Sequence, residues 1–290
     1  MSRTIRLIIF TITSLLSLMI PGEATSKGKG EREWNQWRGP SRDGQVAGPA
    51  WPMSLSEDYL EQRWRVALGP SYSGPIVSAD TVFVTETKDK TTEVVRALSR
   101  STGKELWKVE WPGAMSVPFF AKSRGDWIRA TPAYDGKSLF VAGMRDVLVS
   151  LDAQSGKENW RVDFVKELQS PLPEFGLVCS PLIDGDFLYI QASNAMVKLH
   201  KKTGKILWRT LESVSGIMTN GAFSSPVLAD LAGKRQLIVQ TREELAGLDP
   251  VTGTVLWRQI FSDTLPISAR ITAPRPWLPT TTRSGCSSLM

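Results

Sequence analysis

From Ile76 onward the chain sets short apolar runs between polar turns, at strand length rather than helix length. The runs Thr81 to Thr85, Ser138 to Ala142, Phe187 to Ala192 and Gln236 to Gln240 predict one set of strands. A second set follows at Glu93 to Leu98, Val147 to Leu151, Met196 to Leu199 and Glu244 to Leu248. Ahead of each pair stands a proline: Ser73-Gly74-Pro75-Ile76-Val77, Ala130-Thr131-Pro132-Ala133-Tyr134, Cys179-Ser180-Pro181-Leu182-Ile183 and Ser224-Ser225-Pro226-Val227-Leu228. Proline has no N–H to give a ladder and is tolerated where a strand opens, so these segments predict first strands. Asp135-Gly136 and Asp184-Gly185 fall where the first strand must turn into the second. Behind each pair comes Ser or Thr, then Gly, then Trp four positions on: Gly103 and Trp107, Gly156 and Trp160, Gly204 and Trp208, Gly253 and Trp257. Glycine is free to take positive φ and turns the third strand into a fourth.

These tryptophans stand roughly 50 residues apart, the length of a four-stranded antiparallel blade. One such sheet cannot bury both faces alone, and stacking sheets radially solves the problem. The fold expected is therefore all-β, a β-propeller with about four blades present and its ring incomplete. Each Trp offers a flat surface to the next blade. Ahead of the blades, Gln62-Arg63-Trp64-Arg65-Val66 resembles a lone outer strand. Thr272-Ala273-Pro274 opens a fifth blade that is cut short or shifted out of frame after about residue 274; the other reading is a natural tail on a ring of four. The domains expected are a signal peptide at 1–24, a polar linker at 25–33, an N-terminal segment at 34–61 packing on the propeller, the repeats at 62–265 and an irregular tail at 266–290.

The Ala/Ser/Gly-x-Asp-x-x-Thr/Ser-Gly-Lys-x-x-Trp pattern resembles the tryptophan-docking repeat of pyrroloquinoline quinone (PQQ) propellers. That group includes quinoprotein alcohol dehydrogenases and the scaffold propeller of the outer-membrane β-barrel assembly machine. Trp34-Asn35-Gln36-Trp37-Arg38-Gly39-Pro40-Ser41-Arg42-Asp43-Gly44 is similar to the opening motif of PQQ-like repeat proteins of planctomycete bacteria. The two matches reach from about residue 34 to 274. The resemblance implies either a non-catalytic scaffold or a dehydrogenase that uses PQQ and calcium.

The N-terminus reads as a secretory leader, the other reading being an uncleaved N-terminal membrane anchor. Arg3 and Arg6 precede an uncharged apolar run from Leu7 to Ile20, too short to span a bilayer comfortably, and Gly22 and Ala24 supply a small-x-small exit. Export to the periplasm, cell surface or medium is expected, with no transmembrane segment left after signal removal. The net charge of +6 is spread along the chain, and nucleic acid is not expected as a partner. Two cysteines, Cys179 and Cys286, make no disulfide framework, and Cys179 reads as a small buried apolar residue.

Little catalytic chemistry can be assembled. His200 is the only histidine, which excludes a His-based triad or a multi-His metal site. Asp152 and Asp249 hold one repeat position ahead of the glycine turn, where an acid hydrogen-bonds its own turn. In PQQ dehydrogenases the resemblance implies an adjacent Cys-Cys pair, a calcium held by Glu and Asn, and a catalytic Asp; this chain has no Cys-Cys. Asp126, Glu174, Asn194 and Asn220 are oxygen-bearing candidates on the face made by second-to-third hairpins and blade connections. Trp111 to Ile128 is the longest such connection; Val162 to Val178 and Arg209 to Phe223 follow. A non-catalytic propeller binding a protein or polysaccharide at the cell envelope is the expectation, with no catalytic or metal-binding residue and no cofactor assigned; the alternative is a PQQ- and calcium-dependent alcohol or sugar dehydrogenase, or a degenerate relative. N-terminal sequencing of exported material should find the mature chain starting near Thr25, and retention of Met1 in the membrane fraction would contradict export by a cleaved leader.

Overall fold

A computed structural model of the chain describes residues 33–46, 53, 56, 60–212 and 223–261. The leader, Asn220, Cys286 and the tail after residue 261 lie outside them. Sixteen strands form four separate antiparallel sheets. Blade 1 is β1 (Ile76–Val77), β2 (Thr81–Lys88), β3 (Thr92–Ser99) and β4 (Glu105–Pro112). Blade 2 is β5 (Ala133–Tyr134), β6 (Ser138–Gly143), β7 (Val147–Asp152) and β8 (Glu158–Asp163). Blade 3 is β9 (Leu182–Asp184), β10 (Phe187–Ala192), β11 (Ala195–His200) and β12 (Ile206–Thr210). Blade 4 is β13 (Val227–Leu231), β14 (Lys234–Gln240), β15 (Glu244–Leu248) and β16 (Val255–Ile260). Each sheet runs in chain order, and the described residues are four blades of an incomplete propeller. A 3-10 turn at Phe119–Arg124 and a single helical turn, α1 (Phe164–Glu167), are the helical elements described. Among these residues no helix is long and apolar enough to cross a membrane.

The strand order follows from local chemistry. Each first strand begins directly after its proline, where the missing N–H takes nothing from the ladder. Asp135 caps the first hairpin of blade 2, its Oδ1 accepting from the N–H groups of Lys137 (3.0 Å) and Ser138 (2.8 Å). Asp152 and Asp249 do the same for the third-to-fourth turns. Asp152 Oδ1 accepts from Ser155 N at 2.8 Å, and Asp249 Oδ1 accepts from Val251 N at 2.9 Å. These bonds hold both carboxyls below the usual range. One residue ahead of each Trp the ladder slips by a residue, as in the step from Ala97 opposite Trp107 to Leu98 opposite Glu105. The extra residue, Leu106 in blade 1, stands out to solvent, while the Trp swings toward the next blade.

Three indoles join successive blades, and a fourth, Trp64, joins the segment ahead of blade 1 to it, each laid on the glycine turn of the sheet that follows. Trp64 lies on Gly103, Trp107 on Gly156, Trp160 on Gly204 and Trp208 on Gly253. A Cβ on any of these glycines would stand 2.7 or 2.8 Å from an indole carbon, and each has a φ between +70° and +78°. Glycine is thus required twice over, for the backbone and for the room. Each indole Nε1 donates to a carbonyl of the same turn: Trp64 to Arg100 (2.7 Å), Trp107 to Ala153 (2.9 Å), Trp160 to Lys201 (3.0 Å) and Trp208 to Val251 (3.0 Å). Phe83, Phe140 and Tyr189 sit beside Trp107, Trp160 and Trp208, with ring centroids 5.9 Å apart in all three blades. Trp257 differs. It lies over Gly247 of its own sheet and donates to Gln236 Oε1 at 2.7 Å.

Toward the inner edge a second series repeats. Gly74 N donates to Thr131 Oγ1 (3.0 Å), Thr131 N to Ser180 Oγ (2.9 Å) and Ser180 N to Ser225 Oγ (2.9 Å). Each acceptor is the residue just before a repeat proline, so one hydroxyl per blade satisfies the backbone of the blade before it. The Trp34 to Gly44 segment runs across the same inner strands. Trp34 pairs with Val77 of blade 1, Asn35 O accepts from Tyr134 N of blade 2 at 2.8 Å, and the buried Arg42 guanidinium donates to the Pro181 carbonyl of blade 3 at 2.9 Å. Trp160→Ala removes one dock and should lower unfolding free energy by about 3 kcal/mol in a denaturant titration; an unchanged curve would show that this indole does not hold blades 2 and 3 together.

Candidate functional site

In a four-stranded meander the second-to-third hairpins and the blade connections emerge at one end. That loop face carries most of the residues not absorbed by the repeat. A row of phenylalanines runs across three successive connections. Phe119 and Phe120 come from the 3-10 turn between blades 1 and 2, Phe175 from the connection between blades 2 and 3, and Phe223 from the one before blade 4. Their ring centroids are spaced 5.5, 6.1 and 5.4 Å along the row. Among the described residues Phe119 is 83% exposed, Phe120 57% and Phe223 47%, which is costly for apolar rings. Arg242 lies 5.9 Å from the Phe223 ring. Nearby in sequence, Tyr72 and Trp127 stack at 5.3 Å, with the Arg129 guanidinium 5.1 Å from the Tyr72 ring.

Two buried acids lock the hairpins beneath this surface. Glu93, at the start of β3 and fully buried, accepts Trp111 Nε1 at 2.8 Å and reaches into blade 2 to accept Met144 N at 2.6 Å. Burial pushes its carboxyl up, and the two hydrogen bonds pull against that. Asp146, in the β6–β7 turn with φ +60°, reaches into blade 3 and accepts the Ser193 hydroxyl. Burial pushes this carboxyl up to about 6. Neither acid was singled out from sequence: Glu93 opens a strand and Asp146 sits in a hairpin turn, and nothing local marks either as buried. Phe119, Phe120, Phe175 and Phe223 lie in the three connections that the sequence marked out, with nothing in it to show that their rings meet.

Three of the four oxygen-bearing candidates lie among the described residues, on three separate loops. Asp126 follows the 3-10 turn and faces Arg129, whose pKa burial lowers while Tyr72 and Asp126 pull it back up. Glu174 sits in the turn before Phe175. Asn194 occupies the β10–β11 hairpin with φ +59°, its side-chain oxygen buried and unpartnered. Asn220 lies outside the described residues. Among these residues no three His, Cys, Asp or Glu side chains converge as a metal would require. Cys179 is wholly buried and its thiol is pushed up to about 11, far from the nucleophilic or ligating thiolate.

A tandem array of four-stranded sheets with an aromatic loop face defines a propeller of the PQQ-like class. The family profile described as outer membrane protein assembly factor BamB matches residues 91–271, and the chain belongs to that family. Outer membrane protein assembly factor BamB of Yersinia pestis is 27% identical over 133 residues, which take up 43% of this chain and 30% of that protein. The chain thus matches under a third of that curated relative's length. Among solved structures, BamB from Moraxella catarrhalis is 21% identical with a TM-score of 0.47, over 68% of this chain and 54% of that one. A quinohemoprotein alcohol dehydrogenase from Comamonas testosteroni is 18% identical with a TM-score of 0.49, over 65% and 35%.

Proposed function

We propose that the chain is an exported, non-catalytic propeller that presents its loop face to a protein partner in the cell envelope. The observation that carries this reading is the row Phe119, Phe120, Phe175 and Phe223, whose ring centroids lie 5.5, 6.1 and 5.4 Å apart and of which Phe119, Phe120 and Phe223 are exposed among the described residues. Apolar rings of this kind form the buried centre of protein interfaces. Membership in a family described as an assembly factor of the outer membrane supports both the protein partner and the envelope location. Nothing in the loop face favours a polysaccharide over a protein.

The reading is tested by placing a photocrosslinking residue at Phe120 or, on the opposite end of the blades, at Lys104, in chain expressed in its native envelope. Adducts to a discrete protein should form at position 120 and not at 104, and Phe119→Ser, at the most exposed ring of the row, should reduce them severalfold while the melting curve stays within about 0.5 kcal/mol. Equal adducts from both ends, or PQQ- and calcium-dependent dye reduction by the purified chain, would overturn it.

A further inference from the structure

Positive charge is spread along the sequence, yet the repeat gathers part of it at one end of the blades. In each sheet the first-to-second hairpin and the third-to-fourth turn emerge together, at the end opposite the phenylalanine row. Lys104 and Lys157 follow the turn glycine in blades 1 and 2, Lys202 and Lys205 flank it in blade 3, and Lys137 sits in the first hairpin of blade 2. One series of contacts joins these turns from blade to blade. Trp107 of blade 1 donates to the Ala153 carbonyl in blade 2, and Ala153 N donates to the Lys137 carbonyl at 2.9 Å. From blade 2 to blade 3, Trp160 donates to the Lys201 carbonyl while the Lys201 ammonium meets Asp135 at 3.0 Å.

Lys104, Lys137, Lys157, Lys202 and Lys205 are all exposed, and none has an ion pair or a side-chain hydrogen bond among the described residues. The acids of the same end are engaged elsewhere. Lys201 holds Asp135, Arg235 holds Asp184 at 2.7 Å and Lys234 holds Asp249 at 3.3 Å. Asp152 bends back on its own turn, and Asp80 accepts the hydroxyls of Ser78 and Thr81. Glu105 and Glu158, next in sequence to Lys104 and Lys157, are met by Arg96 at 2.6 Å and Arg161 at 2.7 Å. Asp186 remains as an exposed acid whose side chain has no partner among the described residues. Five bare ammoniums held on one end of rigid sheets make a cationic surface that an anionic partner relieves.

We propose that the turn end of blades 1 to 3 docks on an anionic phospholipid bilayer, its five free ammoniums meeting headgroup phosphates. The lysines come from four separate turns on three blades, so they cover an area rather than line a groove. A bilayer presents its charge over an area, whereas a linear polyanion is held by a groove that tracks its backbone. All five are lysines. An ammonium on a flexible stem acts as a point charge, which suits mobile headgroups, while the fixed fork of arginine suits one phosphate held in one place. Each lysine near an anionic surface strengthens binding roughly fivefold. Docked in this way, the chain turns its phenylalanine row away from the bilayer, and the dock does not depend on what meets that row.

Cosedimentation of the purified chain with phosphatidylcholine vesicles, with and without phosphatidylglycerol, tests the dock. The chain should bind the anionic vesicles at low salt, leave the neutral ones, and come off at about 0.5 M salt, where screening shortens the reach of exposed charges to a few ångströms. Lys137→Gln together with Lys202→Gln should weaken binding more than about tenfold with an unchanged melting curve. Lys90→Gln together with Lys122→Gln, exposed positions at the loop end, should leave it within about twofold. No binding to anionic vesicles, equal binding to neutral ones, or an equal loss in the two paired variants would overturn the proposal. Tighter binding to soluble polyphosphate than to the vesicles would overturn it too, in favour of a polyanion.

Discussion

The stack depends on a flat indole meeting a turn that has no side chain. A four-stranded sheet of this length leaves apolar residues on both faces, and it becomes stable only when a neighbour covers them. The Trp-on-Gly contact sets where that neighbour sits. The bulge before each Trp aims the ring, the positive-φ glycine clears its landing place, and the indole N–H finds a carbonyl in the same turn. Shape, backbone conformation and hydrogen bonding meet at one point. A change at either partner therefore disturbs the placement of a whole blade.

Fixing the outer end of each blade leaves the inner and loop ends to other devices. The inner edge is held by hydroxyls ahead of the repeat prolines and by the Trp34 to Gly44 segment, with Arg42 as its farthest anchor. Under the loop face the links are buried acids, Glu93 to blade 2 and Asp146 to blade 3. At the junction of blades 3 and 4 the device is different again. Gln191 of blade 3 donates to carbonyls of Ser224 and Gln240, and the buried Lys198 ammonium sits 3.9 Å from the Phe187 ring and donates to the Pro250 carbonyl at 2.8 Å. The repeat specifies the indole dock and the inner hydroxyl at each junction of the four blades and lets each junction solve the loop end in its own way. This division leaves the blade connections free to vary, and the aromatic row lies on them.

The blade architecture was legible in the sequence because its causes are local. Proline at a strand's start, Asp-Gly in a hairpin and Gly four residues before Trp act through the backbone of a few neighbours, and the strands fall within a few residues of their predicted places. The inner hydroxyl series was also written there, in Thr131, Ser180 and Ser225 ahead of their prolines, but its meaning lies in a bond to the preceding blade. The loop face was legible only as a place. Asp126, Glu174 and Asn194 were named for their chemistry, yet convergence of side chains from separate blades depends on how connections fold back, and periodicity says nothing about that. Asp146 looks like any turn aspartate until the Ser193 hairpin of the next blade closes over it.

The claim on which the rest stands is that the indole and the glycine turn act as one unit. A double-mutant cycle in denaturant with Trp160→Ala, Gly204→Ala and both together measures their coupling directly. In the native chain an alanine Cβ at position 204 must displace the indole as well as strain the backbone, whereas after Trp160→Ala only the strain remains. The predicted result is a coupling larger than about 1 kcal/mol, with the double variant much more stable than the single losses would give. Losses that add within about 0.5 kcal/mol would contradict it.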